Sequence, residues 1–448
     1  MNPYIPVTED DLRELLEKTG VKDVKELFND IPSDIQLNRD LDLKEGKSEL
    51  EVRTFIEEIA SENHTTDELI CFLGAGAYDR YIPSVVKHLA GRSEFYTAYT
   101  PYQPEISQGT LQVIFEYQTM ICELTGMDVA NASMYDGASA TAEAAIMSAV
   151  QTKRNKILCS DGINPQTKAV LDTYLRFRGF EIEYVPLKNG GTDLALIQEK
   201  LDKTVASVIV QNPNFFGVIE ELSGFAEKIH ENKSLLIVSA DPISLAILKK
   251  PADYGADIVV GEGQQFGGSL AFGGPYLGFI ACTEKLMRKM PGRIVGQSED
   301  VDGKRAFVLT LQAREQHIRR YKATSNICSN QAHNVLIASI YLTTMGKEGL
   351  KEVALQTIQK TNYLYREMLK IDGYEEIFKD KKYFSEFPIK CPGNVDAINH
   401  ELLHEGFIGG FNVESEYPEY SNTSLYCVTE KRTKQEMDEL IQVLGGAK

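Results

Sequence analysis

A short run of small residues at a predicted helix start could bind an anion. Gly137, Ala138 and Ser139 follow the polar stretch Asn131–Asp136 and precede a run of helix formers that includes Glu143. Backbone N–H groups and a hydroxyl at a helix N-terminus suit a phosphate group, and the helix dipole adds to the attraction. An ordinary capped helix uses the same residue types, so the motif supports a phosphate cup and a simple cap equally.

An acid closes the apolar run Leu235–Ala240, at the edge where α/β sheets place their ligands. In pyridoxal-phosphate enzymes an acid in this position keeps the pyridine nitrogen protonated, so that the ring withdraws electrons from a substrate carbanion. Asp241 could have that role. The alternative is a helix N-cap before Pro242, and taken alone this motif favours the cap somewhat.

A lysine is missing where covalent chemistry would need one. The next apolar run and its glycine-rich loop, residues 256–275, contain Gln264 but no lysine, and the nearest lysines are Lys250 and Lys285. Glutamine cannot replace a Schiff-base lysine as nucleophile or base, so no amine is well placed for an internal aldimine. A dinucleotide cradle is a weaker interpretation of these glycines because the segment lacks GxGxxG.

Two further segments are rich in polar groups that a ligand or a partner could use. Residues 96–109 form a loop crowded with hydroxyls and aromatic rings and stiffened by two prolines, which favours function over a plain surface loop. Residues 314–326 concentrate cations in an acidic chain and could bind a carboxylate or phosphate; a solvated helix face with internal ion pairs is an equal alternative. The candidate residues are Tyr96, Thr97, Tyr99, Tyr102, Gln103, Arg314, His317 and Lys322.

The elements that position these residues follow from the apolar pattern. Between residues 156 and 282, short apolar runs alternate with amphipathic segments of helical length, which predicts an α/β fold with a mostly parallel, doubly wound sheet. We predict three parts: an N-terminal helical arm (1–60), a large α/β domain (61–333), and a linking helix with a small C-terminal α+β domain (334–448). Thr8 and Asp11 in the arm resemble a capping box.

Composition limits the partners. The formal net charge of -18 disfavours nucleic acid and anionic lipid, since both would be repelled. No apolar run approaches a membrane span and the N-terminus lacks the plan of a signal peptide, so we expect a cytoplasmic protein. The seven cysteines are scattered and never form a CxxC pair, which argues against disulfides and a zinc site; no metal is expected.

Taken together, these motifs resemble the P-protein of the glycine cleavage system, glycine dehydrogenase (decarboxylating), and within it the first subunit of enzymes that are split in two. The resemblance covers essentially the whole chain. Its most specific parts are Tyr4–Pro6, Phe72–Asp79, Tyr96–Gly109, Asn131–Glu143, Gly255–Pro275, Pro291–Gly296 and Arg314–Asn326.

The resemblance implies a fold-type I pyridoxal-phosphate architecture and a defined activity. Such enzymes condense glycine with the cofactor, release carbon dioxide and pass the aminomethyl group to the lipoyl arm of the H-protein. In split enzymes the lysine belongs to the second subunit, and Gln264 stands where that lysine would be. The resemblance therefore implies a chain that is inactive alone, pyridoxal 5'-phosphate bound by the second subunit, and that subunit, the H-protein and glycine as partners.

It also implies roles for the candidate residues. Gly137, Ala138, Ser139, Asp241 and Gln264 would form a vestigial cofactor pocket, and the candidates in the two polar segments would position groups in the partner's active site. Two alternatives stay open: a non-catalytic scaffold or regulatory subunit with the same fold, and a free-standing enzyme that holds the cofactor non-covalently.

Overall fold

The computed structural model describes residues 6–96, 98–323, 325–327 and 331–446, which divide into two units. The first unit ends at His64 and contains helices α1 (Glu9–Thr19) and α2 (Glu49–Ala60). The sequence predicts the start of α1 correctly: the Thr8 hydroxyl accepts a hydrogen bond from the Asp11 N–H, and the Asp11 carboxylate accepts one from the Thr8 N–H. The boundaries of the three predicted domains stay a prediction.

The second unit begins at Thr65 and contains the remaining elements. Its helices are α3 (Ser84–Ala90), α4 (Gln108–Thr125), α5 (Gly137–Thr152), α6 (Pro165–Arg176), α7 (Leu194–Lys200), α8 (Phe225–Glu231), α9 (Gln316–Arg319), α10 (Ala332–Met368), α11 (Val395–His404) and α12 (Lys434–Leu444). Its strands are β1 (Ile70–Cys71), β2 (Val129–Ala130), β3 (Lys156–Ser160), β4 (Glu181–Val185), β5 (Leu187–Lys188), β6 (Gly191–Thr192), β7 (Val205–Asn212), β8 (Leu235–Ala240), β9 (Ile258–Glu262), β10 (Gly278–Cys282), β11 (Ile294–Glu299), β12 (Arg305–Thr310), β13 (Glu375–Glu376), β14 (Glu386–Lys390), β15 (Phe407–Ile408), β16 (Phe411–Asn412) and β17 (Thr423–Cys427).

The central sheet has the strand order β2-β10-β9-β8-β7-β3-β4. The five strands from β9 to β4 are parallel, whereas β10 runs antiparallel to both of its neighbours. The predicted apolar runs correspond to β3, β4, β7, β8, β9 and β10, and the predicted α/β class with a mostly parallel sheet is confirmed. The sequence pattern missed β2, which is only two residues long.

Helices cover both faces of this sheet. In β7, Val208 and Val210 face a core that includes residues of α4 and α10, while Ile209 faces the opposite core with the small residues of α5. Because both faces are buried, the strand needs apolar residues at successive positions rather than alternation. The apolar runs of the sequence are therefore the central layer of an α/β/α sandwich.

A smaller four-stranded sheet with the order β13-β14-β17-β16 lies in the C-terminal region, which also contains α11 and α12. The long helix α10 precedes it and is interrupted at Gly346, whose φ is +60°. Three ion pairs tie this region to the segment after β1, and two of them are buried. The Asp79 carboxylate lies 2.8 Å from Lys431 and 3.2 Å from the buried Arg432, and the buried Arg80 lies 2.6 Å from Glu430. Among the helices described, none is long and apolar enough to cross a membrane.

Candidate functional site

A cavity of about 660 Å³ lies beside the ends of β8 and β9 and the start of α5, and is called the central cavity here. Its position is the one that α/β sheets use for ligands. The described part of its wall contains no lysine, arginine or histidine. The acidic residues in that wall are Asp136, Asp241, Glu262, Glu386 and Glu416.

Two carboxylates already occupy the predicted anion cup at the start of α5. Asp136 caps the helix, with its Oδ1 accepting from the Ser139 N–H at 2.7 Å. Glu262, at the end of β9, places Oε2 2.9 Å from the Gly137 nitrogen. A Cβ on Gly137 would lie 2.9 Å from the Glu262 nitrogen, so glycine is what allows β9 to approach this closely. The capped helix, one of the two predicted alternatives, is therefore present.

The Glu262 carboxylate is buried and held by backbone groups on both oxygens. Its Oε1 accepts from the Gln264 and Leu277 N–H groups, each at 3.0 Å, while Oε2 accepts from Gly137. Burial raises the pKa of Glu262 to about 7, and the three N–H donors oppose that rise. The carboxyl group is thus an integral part of this end of the sheet.

Gln264 is fixed to the backbone instead of pointing at the cavity. Its Nε2 donates to the carbonyl oxygens of Tyr78 (3.0 Å) and Gly268 (2.8 Å), and its Oε1 accepts from the Tyr78 N–H (3.1 Å). The residue is 2% exposed. Within the described residues, the cavity wall includes Gln265 but not Gln264. The amide therefore has a structural role at the position where an amine was sought.

Asp241 lies directly after β8 and ends a buried hydrogen-bonded chain. Its Oδ1 accepts from the Ser244 N–H at 2.7 Å, but the single helical turn that follows, Ser244–Ala246, has Ile243 as its N-cap, so Asp241 does not hold the N-cap position that the sequence suggested as an alternative. Its Oδ2 accepts from Gln265 at 2.5 Å, and Gln265 in turn accepts from the Arg80 Nε at 2.5 Å. Both carboxylate oxygens of Asp241 are engaged within the chain.

Glu386, at the start of β14, closes another side of the central cavity. Its oxygens accept from the Ala75 N–H (2.6 Å) and the Tyr78 hydroxyl (2.8 Å). Burial is the main cause that raises the pKa of Glu386 to about 7, and the nearby Asp241 adds to the rise. The polar groups that line the central cavity are thus largely satisfied by one another.

A second group of polar residues lies between the loop 96–109 and the segment after β12, and is called the Arg314 cluster here. Arg293 donates to the Tyr102 hydroxyl at 2.8 Å and its guanidinium lies 5.2 Å from the centre of the Tyr102 ring. Glu315 Oε2 is 3.5 Å from both Arg293 Nε and His317 Nδ1. The His317 ring lies 5.6 Å from the Tyr102 ring. The cluster comprises Tyr102, Arg293, Arg314, Glu315 and His317.

The Arg314 cluster contains buried polar atoms without a partner. Within the part of the chain that the structure describes, the buried Nε and Nη2 atoms of Arg314 have no hydrogen-bond acceptor, and Oε1 of Glu315 has no donor. Burial lowers the pKa of Arg314, and the neighbouring Glu315 carboxylate opposes this effect. Leaving charged donors buried and unsatisfied costs several kcal/mol in typical proteins, so this arrangement calls for an anionic acceptor.

The structure brings some of the predicted site residues together and separates others. The Tyr102 and His317 rings are in contact, and His317 lies beside Glu315, the sequence neighbour of Arg314. Lys322 lies instead over the ring of its own neighbour Tyr321. Tyr96 and Tyr99 are 63% and 85% exposed, and the Tyr96 ring lies 5.6 Å from that of His333. Gln103 is exposed at the start of a single helical turn, and Thr97 lies outside the described residues.

The predicted vestigial pocket is only partly assembled. Gly137, Ala138 and Asp241 share the wall of the central cavity, but Ser139 lines a neighbouring cavity of about 340 Å³ together with Glu143. Sequence reasoning missed the roles of Glu262, Arg293 and Glu315, although each lies inside a motif that the sequence singled out. The signal available for Glu262 was an acid in an otherwise apolar strand.

Comparison with known proteins identifies the family. The family model described as "Glycine cleavage system P-protein" matches residues 2–444. The chain belongs to this family. Within it, a similar relative is a "Probable glycine dehydrogenase (decarboxylating) subunit 1" from Desulforamulus reducens, which is 54% identical over 442 residues covering 99% of each chain.

Solved structures support the same assignment of the P-protein fold. A crystal structure of glycine decarboxylase (P-protein) of the glycine cleavage system, in an inhibitor-bound form, is 41% identical, with a TM-score of 0.91 over 99% of this chain and 100% of that chain. A sphingosine-1-phosphate lyase from Burkholderia pseudomallei shares the fold alone, at 12% identity and a TM-score of 0.67 over 92% of each chain. The predicted fold-type I pyridoxal-phosphate architecture is confirmed.

The central cavity of this P-protein family member does not fit the cofactor of its fold. Gln264 offers no primary amine, and its amide is bound to backbone. The Glu262 carboxylate sits on the helix N-terminus where a phosphate would need N–H groups, and the cavity wall is acidic. The residues of this chain therefore lack both the covalent anchor and the anion site.

Proposed function

We propose that the chain is the non-lysine-bearing subunit of a two-subunit glycine decarboxylase, and that it acts by completing the active site of its partner. The 54% identity to a relative named as subunit 1 supports the first half of this proposal. In the assembled enzyme the second subunit binds pyridoxal 5'-phosphate, glycine is decarboxylated, and the aminomethyl group passes to the lipoyl arm of the H-protein. The misfit of the cofactor in this chain's own cavity agrees with that division of labour.

The single observation that carries the partner-site role is that two buried nitrogens of the Arg314 guanidinium, Nε and Nη2, have no acceptor among the described residues. A folded chain seldom retains a buried charged donor that is unsatisfied unless another molecule supplies the acceptor. The acceptor must be an anionic oxygen, because a guanidinium donates hydrogen bonds and accepts none. Arg293 and Glu315 hold the surrounding groups in place, so that the site is organised before the partner arrives.

The exposed tyrosines next to this cluster support the same role. Tyr96, Tyr99 and Tyr102 lie on one loop, and the first two line a cavity of about 550 Å³ with His333 and Asn334. Aromatic side chains that combine an apolar ring with a hydroxyl are enriched at protein interfaces. We infer that this loop packs against the second subunit and orients groups there by hydrogen bonding rather than by covalent catalysis.

The direct test is reconstitution from separately purified subunits. This chain alone should show no glycine-dependent exchange of carbon dioxide, and addition of the second subunit should restore it. The H-protein requirement is measured in the same assay by omission. Exchange activity in the isolated chain would overturn the proposal.

A variant separates the active-site role from a scaffold role. In the reconstituted enzyme Arg314→Met should lower turnover while size-exclusion chromatography shows intact assembly. The matched control is Lys228→Met, which removes one exposed positive charge from α8, where Lys228 pairs only with its neighbour Glu231 among the described residues. Equal turnover of both variants would favour the scaffold instead.

A further inference from the structure

The start of α5 has the N–H groups of an anion site, yet carboxyl groups of the chain itself occupy them. Helix N-termini expose N–H groups and carry partial positive charge, which is why they bind phosphate. Here the Ser139 N–H donates to Asp136, and the Gly137 N–H donates to Glu262. The Asp136 contact is an ordinary helix cap between neighbours, whereas the Glu262 contact joins residues 125 positions apart.

Glu262 is placed on α5 by the sheet rather than by the helix. It is the last residue of β9, and its second oxygen is held by the N–H groups of Gln264 and Leu277. Gly137 and Gly261 permit the close approach: a Cβ on Gly137 would lie 2.9 Å from the Glu262 nitrogen, and one on Gly261 would lie 2.5 Å from the Ala240 carbonyl oxygen. The carboxylate is therefore fixed at the helix start by three backbone donors.

The acidic wall of the central cavity disfavours a phosphate in addition to the Glu262 carboxyl group at the start of α5. A phosphate monoester that entered the central cavity would meet the carboxyl groups of Asp241 and Glu386 in the wall, and no basic side chain in the part that the structure describes. Like charges in a partly enclosed, low-dielectric space repel strongly. The Glu262 carboxyl group at the start of α5 and the acidic wall of the cavity therefore both disfavour binding of a phosphate monoester.

We propose that the Glu262 carboxyl group takes the place of a phosphate at the start of α5 and closes the central cavity to phosphorylated cofactors. This inference goes beyond the missing lysine, because loss of an amine removes the covalent bond to a cofactor but not the site for its phosphate. It also goes beyond the proposed function, since it concerns this chain alone. Combined with that function, it gives one cofactor for each pair of subunits.

The test measures non-covalent binding to the isolated full-length chain. Pyridoxamine phosphate is the probe, because it lacks the aldehyde that would react with surface lysines, and pyridoxamine without phosphate is its matched control. Equilibrium dialysis is run on the wild-type chain, on Glu262→Ala and on Glu416→Ala. The last variant removes an equal charge from an exposed position in the cavity wall and leaves the helix start untouched.

The expected result is a gain of binding in one variant only. Glu262→Ala should bind pyridoxamine phosphate at least about tenfold more tightly than wild type, a change of about 1.4 kcal/mol. Glu416→Ala should match wild type, and pyridoxamine should show no gain with any variant. A rise of that size for the phosphorylated probe alone supports the proposal.

Two results would overturn it: wild type that binds pyridoxamine phosphate as tightly as Glu262→Ala, or a folded Glu262→Ala chain with no gain. Circular dichroism and the thermal midpoint check folding. If the alanine variant does not fold, Glu262→Ser takes its place under the same criterion, because its hydroxyl can still serve the nearby N–H groups while its shorter side chain withdraws from Gly137. Since no partner and no turnover enter the measurement, its outcome is separate from that of the reconstitution.

Discussion

The central cavity and the Arg314 cluster treat their buried polar groups in opposite ways. In the cavity, Asp241, Glu262 and Glu386 each have both carboxylate oxygens hydrogen-bonded within the chain. In the cluster, Arg314 and Glu315 retain buried polar atoms that have no partner among the described residues. The central cavity lies where an active site would be expected. The Arg314 cluster, in contrast, has the unsatisfied polar atoms that an active site would offer to a ligand.

The difference shows where this chain can still bind something. A cavity is easily recognised as a site by its volume, but volume alone does not create affinity when the carboxyl groups at its wall are already hydrogen-bonded within the chain. A small cluster of unsatisfied charges has little volume but a large free-energy gain on pairing. This contrast supports our proposal that the chain contributes to the partner's active site through the Arg314 cluster.

The largest expected effect comes from Arg314→Met. This substitution should lower the activity of the reconstituted enzyme but should not lower the stability of the isolated chain. In the reconstituted enzyme, losing a buried charge-assisted bond costs about 2–5 kcal/mol, so kcat/KM should fall at least about thirtyfold. In the isolated chain the thermal midpoint should stay equal or rise, because the variant removes a buried unpaired charge. A midpoint that falls by several degrees would show that Arg314 is satisfied within the chain.

The central cavity should make stability depend on pH. The pKa of Glu386 is about 7 in the folded chain and that of an ordinary glutamate is 4.5, so the folded state holds the proton more tightly. The contribution of the protonated Glu386 carboxyl group to the free energy of unfolding is therefore complete below pH 4.5 and is lost as the pH rises through 7. Glu386→Gln should flatten the pH dependence of the free energy of unfolding between pH 5 and 8 by up to about 1.4 kcal/mol per pH unit.

Urea unfolding at several pH values measures this slope. The exposed Glu416→Gln variant is the control and should leave the slope unchanged, because its carboxyl group stays in contact with solvent in both states. An unaltered slope in Glu386→Gln would mean that the Glu386 carboxyl ionises as freely in the folded chain as in the unfolded one.

Removing a tyrosine hydroxyl from the central cavity, with an exposed tyrosine outside both regions as the control, sharpens the comparison further. Tyr78→Phe removes the donor to the buried Glu386 carboxylate and should destabilise the isolated chain by about 1–3 kcal/mol, with kcat/KM of the reconstituted enzyme little changed. Tyr321→Phe, at an exposed ring, should change stability by less than about 0.5 kcal/mol. Loss of turnover in Tyr78→Phe at full assembly would return catalytic importance to the central cavity.

The smallest expected effect is that of Tyr102→Phe in the Arg314 cluster. It removes the acceptor of one Arg293 hydrogen bond and leaves the ring contacts with Arg293 and His317 in place. Turnover of the reconstituted enzyme should fall severalfold, corresponding to about 1 kcal/mol, while the stability of the isolated chain changes little. A destabilised isolated chain with normal turnover would reverse the roles assigned to the two regions.

The sequence alone was sufficient for the central strands and for the residues at their ends. Apolar runs identify β7, β8 and β9 because strands buried on both faces tolerate little else, and Asp241 and Gln264 then fall at the edge of the sheet. The antiparallel direction of β10 was not predicted, since an apolar run carries no information about strand direction. The cap at Thr8 was predicted because its partner is only three positions away.

The missing part of the site consists of contacts between distant segments. Glu262 reaches Gly137 across the sheet, and Arg293 reaches Tyr102 from 191 positions away. A side chain with several possible partners in the sequence selects one only after the sheet has formed. Unsatisfied atoms such as those of Arg314 are visible only once every other pairing has been made.

The ion pairs around Asp79 and Arg80 join the beginning of the second unit to its C-terminal end, and this limits where the chain can be cut without loss of stability. Their counter-ions, Glu430, Lys431 and Arg432, come from the turn that precedes the last helix, α12. A truncation that removed this turn would leave an aspartate and an arginine unpaired in the interior near the beginning of the second unit. Proteolytic removal of the C-terminal end should therefore destabilise the segment around Asp79 and Arg80, more than three hundred residues upstream. We expect the two ends of this unit to unfold together.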